Sequence, residues 1–259
     1  MFRGLLSRRA QPDSPREAST GGALIYAVGD IHGRSDLLDL LMPQIREDIA
    51  REAEGRQPAI IFVGDYVDRG LDSRGVVERL IALKAEPGLD VRLLKGNHEL
   101  QLLAFLKDAS VGPAWGQFGG AATLASYGVT PPADRSIEAW EVARQAFTDQ
   151  VSEHLAFYQD LELAVECGDY VFVHAGIRPG VPLARQVERD LLWIRDPFLE
   201  SMEPFERVVV HGHTPEVAPY LGRNRIGIDT GAYATSTLTA IRLSGEGRHV
   251  IQATLSGRK

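Results

Sequence analysis

Apolar runs recur along the chain at 23–28, 59–63, 91–94, 170–173 and 207–210, and each stops at a glycine-flanked polar turn. Their short length and β-branched content predict buried strands. Helical spacing fills the intervals of the first half. Ser35 is a good N-cap for a helix carrying Leu37, Leu38, Leu40, Leu41, Ile45 and Ile49. Asp72-Ser73 caps a second with Val76, Val77, Leu80, Ile81 and Leu83, closed by Pro87-Gly88. A third runs over 100–106, directly after His98. This strand–helix alternation implies parallel strands joined by right-handed crossovers.

The rhythm breaks at 109–160, where Trp115, the Gly119-Gly120 pair and Pro131-Pro132 precede helical sequence over 136–158. A helical insertion packed at the rim of a site is expected there, either helping to define substrate access or serving as scaffold. From 161 the chain is strand-rich, with candidate strands at 161–167, 170–173, 207–210, 225–228, 237–243 and 249–255. The pattern predicts an α/β protein with two mixed β-sheets packed face to face and helices outside. One domain over 23–259 is expected, preceded by a flexible segment over 1–22 whose residues 11–22 are rich in Pro, Ser, Gly and charge.

The turns that end the apolar runs carry the chemistry. They are Gly29-Asp30-Ile31-His32-Gly33, Gly64-Asp65-Tyr66-Val67-Asp68-Arg69-Gly70, Gly96-Asn97-His98-Glu99, His174-Ala175-Gly176 and His211-Gly212-His213-Thr214. Taken singly, each is ordinary turn chemistry, because Gly and Asn tolerate positive φ. Taken together they hold five of the seven histidines, His154 and His249 being the exceptions. Asp, His and Asn are ligands for divalent metals of intermediate hardness, and paired metals hydrolyse phosphate esters.

In this order the five segments resemble the phosphoprotein phosphatase family of calcineurin-like metallophosphoesterases, in particular the bacterial branch typified by phage lambda phosphatase. The Gly64–Gly70 turn is the most specific piece. Asp229-Thr230-Gly231-Ala232, followed by Leu238-Thr239, is similar to the C-terminal strand pair of that branch, and bacterial diadenosine tetraphosphatases share both this ending and the His-Ala-Gly segment. The resemblance covers about residues 23 to 245 and implies the calcineurin-like metallophosphoesterase fold.

It also implies a ligand set. Asp30 and His32 hold one metal, Asp65 bridges, and Asn97, His174 and His213 complete the second. The cofactors are two divalent ions, Mn²⁺ for preference, with Fe or Zn as alternatives. His213 is the expected ligand of its pair, with His211 a polar residue behind it. His98 is the expected general acid, oriented by Asp68, whose other reading is a partner of Arg69 or a helix cap. Arg69 and Arg195, the latter in Leu191-Leu192-Trp193-Ile194-Arg195, are expected to clamp phosphate together with Asn97. Lys95 departs from the Arg of lambda-type enzymes. Tyr233 either lines the site or packs inside.

No serine or cysteine nucleophile sits with a base partner in the usual short motifs, so single-step hydrolysis by a metal-bridging hydroxide is expected. The leading substrate is a phosphorylated protein, at serine or threonine. The alternatives are phosphotyrosine and, with the same metal pair, diadenosine tetraphosphate. A regulatory module without catalysis and a nuclease are the remaining readings, neither favoured.

Composition adds limits. The 259 residues are 44% hydrophobic and 24% charged, as in ordinary globular proteins. A formal net charge of −7 gives no general attraction to nucleic acid or anionic membranes, so neither is an expected partner. No apolar run approaches the roughly 20 residues of a membrane span. The single cysteine, Cys167, cannot form an internal disulfide, and a cytoplasmic location is expected. A monomer is compatible with all of this.

Overall fold

The structure, a computed structural model, describes residues 17–255. Strands β1 (Leu24–Val28), β2 (Pro58–Phe62) and β3 (Asp90–Leu93) alternate with helices α1 (Ser35–Glu52), α2 (Ser73–Lys84) and α3 (Asn97–Lys107). The insertion follows, built on α4 (Gly112–Trp115), α5 (Ala121–Ser126) and α6 (Ile137–Val151). Then come β4 (Ala164–Cys167), β5 (Tyr170–Val173), β6 (Val208–His211), β7 (Tyr220–Leu221), β8 (Arg225–Gly227), β9 (Thr237–Ser244) and β10 (Gly247–Thr254).

Two five-stranded sheets result, in the orders β10-β9-β1-β2-β3 and β4-β5-β6-β8-β7. Strands β1, β2 and β3 are parallel, as are β5, β6 and β8, while β9 runs antiparallel to β1. Strand periodicity explains the layering. Ile25, Ala27 and Ile61 of one sheet meet Val165, Phe172, Val208 and Val210 of the other in a shared core. Their neighbours Leu24, Tyr26, Val28, Ile60 and Phe62 face the opposite way, against Leu37, Leu41, Val76 and Leu80 of the helices. Helices therefore cover the outside of two face-to-face sheets, as expected.

Three details differ from the sequence reading. Residues 188–193 and 196–199 are short helices whose Leu191, Ile194, Phe198 and Leu199 cover Val171, Val173 and Val209 on the outer face of the second sheet. At four to six residues they are too short to show a period. Strand β7 adds an edge through a two-residue pairing with β8. The expected flexible lead-in falls partly outside the described residues, but from residue 18 it is docked. Ala18 is buried, its carbonyl accepts from the Tyr170 hydroxyl, and the Thr20 N–H donates to the Gly245 carbonyl at 3.1 Å. Among the described residues, no helix is long and apolar enough to cross a membrane.

Candidate metal centre

The carboxyl ends of the parallel strands converge from both sheets. Asp30 and His32 follow β1, Asp65 follows β2, Asn97 opens α3 after β3, His174 follows β5 and His213 follows β6. All six are buried. Of the seven described non-glycine residues with positive φ, five lie here: His32, Asp65, Asp68, Arg69 and His213. Each such conformation costs on the order of 1–3 kcal/mol and persists where the surroundings over-determine it. The strain is concentrated in one place.

The donor atoms fall into two groups around Asp65, one with His32 and His98 and one with His174 and His213. Asp65 Oδ2 lies 3.5 Å from His32 Nε2 and 3.4 Å from His174 Nε2. His32 Nδ1 faces the Val67 carbonyl at 2.8 Å, and His174 Nδ1 faces the Val63 carbonyl at 2.9 Å. A nitrogen facing a carbonyl must carry the proton, which leaves Nε2 of each ring with a lone pair turned inward. Burial lowers the proton affinity of both imidazoles and of His213. Asn97 Oδ1 lies 2.9 Å from both His174 Nε2 and His213 Nδ1.

His174 Nε2, an acceptor, therefore faces two further acceptors, Asn97 Oδ1 and Asp65 Oδ2. A cation satisfies such a set. Asp30 adds to the case. Its Oδ2 accepts the His213 N–H at 3.0 Å, while its Oδ1 is buried without a hydrogen-bond partner. Burial, with Asp229 and Asp65 beside it, pushes the Asp30 carboxyl well up. Burial likewise pushes Asp229 up to about 6. Three crowded buried carboxylates call for positive charge, and the residues fit a pair of divalent ions.

Beside the first group stands an acid–base pair. His98 Nδ1 lies 2.6 Å from Asp68 Oδ2, and Arg69 Nη2 lies 3.1 Å from His98 Nε2. Burial alone would lower the proton affinity of His98, but Asp65 and Asp68 outweigh it and the net direction is up. Arg69 also lies over the Tyr233 ring at 4.6 Å, and that ring meets His32 edge-on at 5.4 Å. Tyr233 thus lines the centre. On the far side Arg195 Nε donates to His213 Nε2 at 3.2 Å. Lys95 pairs instead with Glu188, 3.4 Å away. His211 turns from the centre, its Nε2 lying 3.2 Å from Arg225.

Several residues were not anticipated from sequence. Glu99 takes the backbone N–H groups of Asp65, Tyr66, Val67 and Gly96 at 2.8–3.2 Å, pinning two ligand-bearing turns together. Asp68 is held by the insertion: Trp115 Nε1 donates to Oδ2 at 2.9 Å, and Thr123 Oγ1 to Oδ1 at 2.6 Å. The insertion therefore reaches into the centre through Asp68. A separate group, Glu78, Glu153 and His154, is occupied by neighbours: Arg74 bridges the two carboxylates at 2.8 and 2.7 Å, and Tyr127 meets His154 at 2.9 Å.

Comparison with known proteins agrees with this geometry. The family model described as calcineurin-like phosphoesterase matches residues 23–238. The bis(5'-nucleosyl)-tetraphosphatase PrpE [asymmetrical] of Anoxybacillus flavithermus is 27% identical over 85% of this chain and 90% of its own length. The symmetrical bis(5'-nucleosyl)-tetraphosphatase of Acidovorax sp. (strain JS42) is 33% identical over 60% of this chain, which spans only 44% of that relative. Among solved structures, a candidate diadenosine tetraphosphatase superposes with a TM-score of 0.59 at 21% identity, covering 91% of this chain and 96% of that one. A cold-active protein tyrosine phosphatase gives 0.55 at 16% identity, with 96% and 88% covered.

Proposed function

The chain belongs to the calcineurin-like phosphoesterase family, and we propose that within it the protein hydrolyses a phosphoanhydride bond of dinucleoside tetraphosphates. The reading rests chiefly on the end-to-end similarity to a bis(5'-nucleosyl)-tetraphosphatase, which leaves no large part of either chain unmatched. It reverses the order of preference drawn from sequence, where a protein phosphatase came first. Two exposed aromatics favour it further. Phe118, 70% exposed, precedes Gly119, whose carbonyl accepts the Arg69 N–H at 3.3 Å. Trp193, 40% exposed, has its ring 6.3 Å from that of His213. The Trp193 ring thus lies beside the second group, Phe118 adjoins the backbone contact to Arg69 near the first, and nucleobases stack on such rings for about 1–3 kcal/mol each.

The family uses a dinuclear divalent metal site. Asp30, His32 and Asp65 would hold one ion, and Asp65, Asn97, His174 and His213 the other. Their mixed oxygen and nitrogen donors suit Mn²⁺ or a similar ion. When bound, the ions supply charge for the phosphoryl oxygens and activate water. The chain's own groups do the rest. Arg69 and Arg195 reach the phosphate from opposite sides with planar guanidinium donors. His98 gives its Nε2 proton to the leaving oxygen as the P–O bond breaks, and Asp68 holds the imidazole and its charge. The attacking water loses a proton to solvent, and two nucleotides result that share the four phosphate groups between them.

A phosphomonoester reading, on phosphoserine, phosphothreonine or phosphotyrosine, is favoured by that same dyad, because an alkoxide needs a protonated acid more than a nucleotide does. A parallel assay of the Mn²⁺-loaded protein on diadenosine tetraphosphate and on phosphoserine, phosphothreonine and phosphotyrosine peptides separates the two. We expect the higher kcat/KM on the dinucleotide, with the products identifying which phosphorus is attacked. A faster reaction on any of the peptides overturns this reading in favour of the second.

A further inference from the structure

We infer that the insertion segment from Trp115 to Thr123 is a positioning device for the general acid and its phosphate-clamping neighbour, acting through Asp68 and Arg69. Three side chains hold the Asp68 carboxylate. Oδ2 receives His98 Nδ1 at 2.6 Å and Trp115 Nε1 at 2.9 Å, and Oδ1 receives the Thr123 hydroxyl at 2.6 Å. The Thr123 oxygen in turn accepts the Asp68 N–H at 2.9 Å and lies 3.1 Å from the Ser73 hydroxyl. Asp68, Ser73 and Thr123 are wholly buried, and Trp115 is 2% exposed. With no water to compete, these donors fix where the carboxylate points.

The two adjacent glycines explain how the segment reaches its targets. Gly119, at φ 119°, brings its carbonyl to the Arg69 N–H, and a Cβ there would press on Arg69 Cγ at 2.8 Å. A Cβ on Gly120 would strike the Trp115 indole. The spacing Trp115-x3-Gly119-Gly120-x2-Thr123 thus places an indole donor, a backbone acceptor and a hydroxyl donor on consecutive turns. Asp68 and Arg69 themselves sit at φ 72° and 69°, a strained pair that outside contacts must hold. Trp115 is anchored in turn by Phe105 at 4.8 Å and Phe147 at 6.0 Å between ring centroids.

The inference rests on the acid role of His98 given above, but on neither choice of substrate. Its test uses the full-length, metal-loaded protein and phosphate monoesters whose leaving groups range from an alkanol to 2,4-dinitrophenol. Thr123→Val keeps the shape and removes the hydroxyl. It should lower kcat about 10- to 100-fold on alkyl phosphates, as misplaced catalytic groups do, and about twofold or less on the dinitrophenyl ester. Thr123→Ser should restore the alkyl rate. Trp115→Phe, which removes only the second donor and supplies the answer if Thr123→Val does not fold, should show the same leaving-group pattern. An equal loss on all leaving groups, or no loss, overturns the inference. His98→Ala is run alongside: if it too lacks leaving-group dependence, the acid role itself has failed, and if it shows the dependence while Thr123→Val and Trp115→Phe do not, only the positioning role has.

Discussion

Replacing Asp68 by Asn isolates the charge of the dyad from its geometry. The hydrogen bonds leave one good orientation for the new side chain. If the amide nitrogen took the Oδ2 position, it would face two donors, Trp115 Nε1 and His98 Nδ1. At the Oδ1 position it meets only Thr123, whose hydroxyl can turn its proton toward Ser73, 3.1 Å away, and accept. The side chain therefore fits with one of its two amide N–H groups bonded to Thr123. Folding should suffer little. Three charge-assisted bonds become neutral ones, a loss of about 1 kcal/mol each, and relief from burying a carboxylate offsets much of that.

Catalysis should suffer more. The bond to His98 loses at least about 1.4 kcal/mol when imidazolium faces a neutral oxygen, which is tenfold in rate, and the usual contribution of a general acid sets a ceiling of about 10²–10⁴. We expect kcat for an alkyl phosphate to fall about 10- to 100-fold, metal content to stay at the wild-type level, and urea unfolding to shift by less than about 2 kcal/mol. Steady-state kinetics, elemental analysis and denaturation measure the three. A stability loss above about 4 kcal/mol together with lost metal would refute the reasoning, because Asp68 would then be holding the fold and not the acid.

Further outcomes follow from other parts of the molecule. Stripping divalent ions with a chelator should abolish activity and lower Tm, with Mn²⁺ restoring both in a concentration-dependent way, since an ion that binds only the native state stabilises it by mass action; a Tm indifferent to Mn²⁺ would count against the site. Phe118→Ala should raise KM for diadenosine tetraphosphate about fivefold or more while leaving p-nitrophenyl phosphate kinetics unchanged; parallel changes on both substrates would remove Phe118 from base recognition. Buried Asp48 accepts from Tyr26 at 2.8 Å and from Arg242 at 2.9 and 3.0 Å, and although burial opposes ionisation, these partners hold its carboxyl below the usual range. A depressed folded pKa contributes stability above the unfolded value near 4 that is lost as pH falls through the folded one. Asp48→Asn should therefore flatten the stability–pH curve below about pH 4, and an unchanged acid limb would contradict the assignment.

The convergence of the candidate ligands was legible because they lie in short turns at strand ends, where a few consecutive residues carry both the bend and the chemistry. Asp30 with His32, and Asp65 with Asp68 and Arg69, are neighbours in sequence as in space. The layering was legible too, from strand–helix alternation followed by a strand-rich half. What escaped were contacts between distant residues. Thr123 reaches Asp68 across 55 positions and Trp115 across 47, and neither residue type announces a role. Only the Gly119-Gly120 pair hinted that the backbone there makes a close approach. Residues 188–199 hid because two short helices show no period. Substrate class was harder to read for a different reason: the Asp68–His98 pair leans toward an alkoxide leaving group without excluding a nucleotide, while the similarity to whole relatives leans the other way.

The dinuclear centre itself is tested most directly by anomalous diffraction from crystals grown with Mn²⁺. Two peaks are expected, one beside Asp30 and His32, the other among Asn97, His174 and His213, with Asp65 between them. A single peak, or peaks away from these strand ends, would contradict the dinuclear centre.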